Sequence, residues 1–142
     1  MARQHCGRLG KVANCQVVVT GEYVVGEPSF SQPLHWPVTG RLYLPKVWAE
    51  AAALREKGHV PQDVVFQTKP GIALGILDLA RAWGLPFKHV VADAGYGDNL
   101  LFLEGLKERG CLYVWGVEGS FGLRLPQEVM AAAQALCPAA PG

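Results

Sequence analysis

The feature that most constrains how this sequence can fold lies in residues 87–117. The stretch FKHVVAD (87–93) is β-rich and ends on a carboxylate, and the AGYG that follows reads as a flexible connection. Asp98 is then placed to cap a helix running through about Arg109, Gly110 to end it, and CLYVWGV (111–117) to form a second strand. Strand, helix, strand in that order is a crossover, which demands two parallel strands joined right-handedly. The chain is therefore expected to be α/β.

The flanking pattern extends that expectation. Pro70 suits the first turn of a helix in which Ile72, Ile76, Leu79, Ala80 and Trp83 fall on one apolar face, and Gly84 and Pro86 stop it. Residues 15–25, CQVVVTGEYVV, read as a strand, and residues 38–44, VTGRLYL, as a second that pairs with it in an antiparallel hairpin. Pro45 opens a helix near Val47–Lys57, with Gly58 just past its C-cap.

With 142 residues the chain is the size of one domain. Its 17 glycines and 10 prolines imply many turns, and no apolar run approaches the ~20 residues of a membrane span. The formal net charge of +1 is uneven: residues 1–46 carry five Arg or Lys against two acids, the remainder eight against ten. That slight basic patch is far from the charge of a dedicated nucleic-acid binder. Cys6, Cys15, Cys111 and Cys137 form no C-x-x-C pair, and His5, His35, His59 and His89 never fall at metal-ligand spacing, so structural zinc is not expected. MARQHCGRLGKV has no apolar core of a secretory signal, and free thiols in the cytoplasm are the expectation.

The ligand site of an α/β sheet lies at the carboxyl ends of its strands, and Asp93 occupies such an end beside Gly95 and Gly97. There it can hold a metal or a substrate hydroxyl, or simply accept N–H bonds of the turn. Other candidates are weaker. Gly7-Arg8-Leu9-Gly10-Lys11 lacks phosphate-loop spacing, Asp98 is better explained as a helix cap than as a metal ligand, and Cys15 as a small buried hydrophobe. Trp48, Trp83 and Trp115 sit on apolar faces and read as core.

Four stretches, ARQHCGRLGKVANCQVVV (2–19), RLYLPKVW (41–48), VPQDVVFQTKPGIAL (60–74) and VVADAGYGDN (90–99), together resemble the DDE transposases of bacterial insertion sequences. The resemblance implies a ribonuclease-H-like mixed sheet. It also implies DNA as partner, with cleavage at transposon ends and strand transfer to a target. In the family three acids, Asp, Asp and Glu, hold two Mg²⁺ ions. Such ions, about 4 Å apart, activate the attacking oxygen and stabilise the leaving one. Asp93 matches the second Asp, which makes it the catalytic acid and metal ligand this chain is expected to retain.

The family's first Asp lies on a strand upstream of the segment that begins here as ARQ, and its Glu on a helix beyond CLYVWGV. The resemblance thus divides the chain into a partial catalytic domain (1–117) and an unmatched tail (118–142), whose Glu118 and Glu128 lack the motif of the missing Glu. The implied fold is incomplete, without the central first strand and without the helix bearing Glu. The expectation is a truncated transposase, inactive alone and prone to self-association through unpaired strand edges. The alternatives are a non-catalytic remnant with weak DNA binding and a small metabolite-binding α/β module.

Overall fold

A computed structural model describes residues 2–26 and 32–116. The tail 118–142, including Glu118, Glu128 and Cys137, lies outside the described residues.

Two hairpins come first. Strand β1 (Ala2–Cys6) pairs antiparallel with β2 (Lys11–Cys15) across a single 3₁₀ turn, closed at Gly10 with φ +61°. Strand β3 (Val17–Val25) pairs antiparallel with β4 (Leu34–Tyr43), with a register shift between Gly21 and Glu22. The expected hairpin is present, but its second strand is longer than 38–44. Cys15 closes β2 rather than opening β3, and the β1/β2 hairpin is an element the sequence pattern does not predict.

The helix expected near Val47–Lys57 is two. Helix α1 (Lys46–Glu50) and α2 (Ala52–Lys57) are separated at Ala51, which is extended (φ −90°, ψ 109°). Gly58 is itself the C-cap, with φ −90°, and the left-handed residue is His59, with φ 49°. The Arg55 guanidinium holds the following loop by donating to the carbonyls of Val64 at 2.9 Å and Pro61 at 2.6 Å.

Helix α3 (Lys69–Ala82) starts as expected. Thr68 caps it by accepting from the Gly71 N–H at 3.1 Å, and Pro70 occupies the first turn. Ile72, Ile76 and Ala80 are buried, whereas Trp83 is 57% exposed and Leu79 stands at the edge of the face. The apolar stripe is therefore narrower than its sequence period suggests, and Trp83 is not core. Trp48 and Trp115 are half-buried.

The crossover follows. Strand β5 (His89–Ala92) pairs parallel with β6 (Leu112–Trp115), joined through α4 (Ala94–Gly97) and α5 (Leu100–Glu108). Two corrections apply. AGYG is a helical turn rather than a flexible connection, and the cap of α5 is Asn99, whose side chain accepts from the Phe102 N–H at 2.9 Å. Asp98 instead closes α4 as its C-cap. Gly110, with φ +62°, ends the helical segment as expected.

The core is in two parts that share Ala73 of α3. Val19, Ile72 and Ile76 join α3 to the β3/β4 hairpin. Phe102, Leu106 and Cys111 join α3 and α5 to β5 and β6. The architecture is mixed α/β, but the six strands of the described residues form three separate two-stranded sheets, β1/β2, β3/β4 and β5/β6.

Candidate functional site

Asp93 leaves β5 at its carboxyl end, where a parallel strand delivers its loop to the rim of the sheet. Its side chain is exposed, and its Oδ1 accepts from the Gly95 N–H at 3.0 Å, capping α4. Among the described residues no other hydrogen bond reaches this carboxylate, so Oδ2 is open. The turn-capping role and the ligand role are thus compatible on one side chain, because each uses a different oxygen.

The strand-to-helix corner around Asp93 is held rigidly. Gly97 is buried, and a Cβ there would meet the Trp115 ring and, at 2.7 Å, the Gly116 carbonyl oxygen. Only glycine lets α4 lie this close to the end of β6. Tyr96 packs on Phe102 with ring centroids 5.2 Å apart. Burial pushes its phenol up from the usual value, and the negative charge of Asp93 adds to the effect.

A groove of about 620 Å³ opens beside Asp93. Its walls are β3 and β5 and its floor is α3, through Ala73, Ile76, Leu77 and Ala80. Glu22, His35, His89 and Asp93, with the phenols of Tyr23 and Tyr96, are its charged or titratable lining, and Glu22 is engaged with His35 at 3.3 Å.

A two-metal centre needs several hard oxygen donors converging on one point. Among the described residues no three His, Cys, Asp or Glu side chains come together in a way that can hold a metal ion. Asp93 offers one carboxylate oxygen, and the set around it does not fit a pair of ions. Asp98 is exposed and joins no such group. Cys6, Cys15 and Cys111 are free thiols, with Cys15 half-buried and its Sγ 3.7 Å from the Gln4 carbonyl oxygen. No helix of the described residues is long and apolar enough to cross a membrane.

Compared with family models, the chain matches that of the DDE superfamily endonucleases over residues 1–136, and it belongs to that family. The match runs past Val117, where the resemblance in the sequence fades. Comparison with curated proteins and with solved structures gives no match. Endonucleases of this superfamily act on DNA and in general depend on divalent metal ions.

Proposed function

We propose that this chain carries part of a DDE transposase catalytic unit, one whose complete form cuts DNA and joins a 3′ hydroxyl to target DNA with Mg²⁺. The observation that carries this reading is Asp93. In a chain of the DDE endonuclease family it sits at the carboxyl end of a parallel strand, and one of its oxygens accepts no hydrogen bond from the described residues. In this reading Asp93 is a metal ligand, and the remaining carboxylates come from elements outside these 142 residues. The ribonuclease-H-like order of strands belongs to the same proposal, since it requires the separate β3/β4 and β5/β6 sheets to be bridged.

A single carboxylate holds one ion weakly and cannot align two across a phosphorus. The chain by itself is therefore expected to nick no DNA. The test is incubation of the purified full chain with supercoiled plasmid in Mg²⁺ or Mn²⁺. Unchanged plasmid is the expected result, and nicking that disappears in Asp93→Asn contradicts the claim of inactivity while supporting Asp93 as ligand. DNA binding is measured beside it across a salt series, because phosphate contacts weaken steeply with salt. Absence of salt-sensitive binding counts against DNA as the partner of this chain.

A further inference from the structure

The β1/β2 hairpin belongs to neither part of the core, and its charge has one sign. Among the described residues no side chain of 2–15 packs into the clusters around Val19 and Leu106. Arg3, Arg8 and Lys11 lie on the hairpin, and the chain's first acid, Glu22, comes after it. Either sign of charge keeps a hairpin soluble, so cations without any acid favour a polyanion as partner. The tip stands in open space: a Cβ added at Gly7 or Gly10 would meet no atom within 4 Å, and Leu9 and Val12 are 56% and 55% exposed.

Register decides what the hairpin presents. Side chains alternate between the faces of a strand, and here Gln4, Cys6, Ala13 and Cys15 are half-buried while Arg3, His5, Val12 and Asn14 are exposed. Arg3 pairs directly with Asn14, and His5 with Val12, so these four form one outward patch. The Gln4 amide ties the strands together on the opposite face by donating to the Cys15 carbonyl at 2.9 Å, and the Gly10 N–H closes the turn on the Gly7 carbonyl. Among the described residues no ion pair engages Arg3, Arg8 or Lys11. A two-stranded ribbon fits the ~12 Å major groove of B-form DNA, where arginine pairs with guanine, asparagine with adenine, and an apolar side chain meets the thymine methyl. Strands of five residues, at ~3.4 Å each, span about five base pairs of ~3.4 Å. The major groove of A-form RNA is too narrow to take them.

We infer that the β1/β2 hairpin is a DNA-reading ribbon: it enters the major groove with its Arg3/Asn14 face on base edges and with Arg8 and Lys11, at the turn, on phosphates. The inference rests on the reading of DNA as partner of this chain, and it adds which element grips the duplex and which side chains discriminate sequence. Three cations release few counterions, so the hairpin supplies register and sequence preference to a larger contact rather than tight binding of its own.

The full chain is first used at low ionic strength to select a preferred sequence from randomised DNA duplexes, and binding of that duplex is then followed by fluorescence anisotropy across a salt series. Arg8→Gln with Lys11→Gln is expected to weaken binding to all sequences alike and to reduce the salt slope by about two. Asn14→Ala changes no charge; it is expected to keep the slope and to lose preference at an adenine by about fivefold or more. Duplexes carrying 7-deazapurines pair normally but lack the N7 acceptors of the major groove, and the unaltered chain should bind them no better than random sequence. An RNA duplex of the same sequence should compete more weakly than the DNA. Lys57→Gln with Lys107→Gln removes two exposed cations elsewhere and is the charge-matched control, expected to change little. Salt-sensitive binding that falls equally in the control pair overturns the ribbon and leaves DNA as the partner. So do a selection that enriches no sequence, a preference that survives Asn14→Ala and 7-deazapurine, and equal competition by RNA. Absence of any salt-sensitive binding removes the DNA reading and the ribbon with it.

Discussion

At Asp93 two demands meet on one side chain, and they can be separated by substitution. Asparagine keeps a side-chain oxygen for the Gly95 N–H but loses the charge, whereas alanine loses both. Asp93→Asn is expected to unfold within about 0.5 kcal/mol of the parent, and Asp93→Ala to lose about 1 kcal/mol, the usual worth of an N-cap. Chemical denaturation of the two variants checks this, and equal losses would show that the cap contributes nothing. A second residue-scale prediction concerns Asp78, which accepts from Arg109 through both oxygens at 2.7 and 2.6 Å. The hydrogen bond to Arg109 and its positive charge hold the Asp78 carboxyl below its usual value. A carboxylate whose folded pKa is depressed stabilises the fold above its unfolded pKa of ~3.9 and loses that contribution as pH falls through the lower folded value. Because Asp78 is half exposed, solvent screening limits the contribution to about 0.5–1 kcal/mol. Asp78→Asn should therefore lower stability by that amount at neutral pH, and the gap to the parent should close below about pH 4. A gap that persists unchanged into more acid solution would mean that something other than the ion pair is lost.

Capping decides how the elements around the site begin and end, and it also decides what the sequence could reveal. Asn99→Ala should cost about 1 kcal/mol by leaving the Phe102 N–H without its acceptor. Asp98→Ala, at an exposed position whose side chain makes no hydrogen bond to the helix, should fall within about 0.5 kcal/mol of the parent. Thermal unfolding of both variants tests the assignment, and the opposite order would restore Asp98 as the cap. Asp and Asn are equally good caps, and the adjacent pair Asp98–Asn99 left the choice to the residue whose neighbour turns first. The one-turn helix α4 resolves it by consuming Asp98. The parallel pair β5/β6 and helix α3 were legible because their apolar spacing, Thr68, Pro70 and the glycines at 84 and 110 all agree. The break at Ala51 was not, since AEAAAL is continuous helix by propensity, whereas in the fold the Arg55 guanidinium donates both to the Ala49 carbonyl before the break and to the Pro61 carbonyl of the distant loop. Asp93 itself was legible as a residue at a strand end. Its carboxylate geometry was not, because the cap depends on the turn that the sequence hid.

At the scale of the whole molecule, the decisive fact is that the six strands of the described residues make three two-stranded sheets. Two-stranded units are marginal in water unless packed on something else, and here the packing that links β3/β4 to the α5 and β5/β6 side runs through α3, beside the hydrogen bond from the Tyr23 hydroxyl to the Pro86 carbonyl. The outward faces remain apolar: Val91 is 79% exposed, Leu100 74% and Leu101 76%, with Val114 and Leu112 on the same parallel pair also in solvent. Open edges and apolar faces of this kind are what natural sheets cover, charge or pair. The chain in isolation is accordingly expected to associate with itself, and the association should tighten as ionic strength rises, since burial of apolar surface survives salt while exposed charges are screened. Sedimentation velocity over a concentration series reads this directly. A monodisperse monomer that unfolds in one cooperative thermal transition would mean that the two cores around α3 suffice, and that the open edges of β3 and β5 are tolerated without a partner.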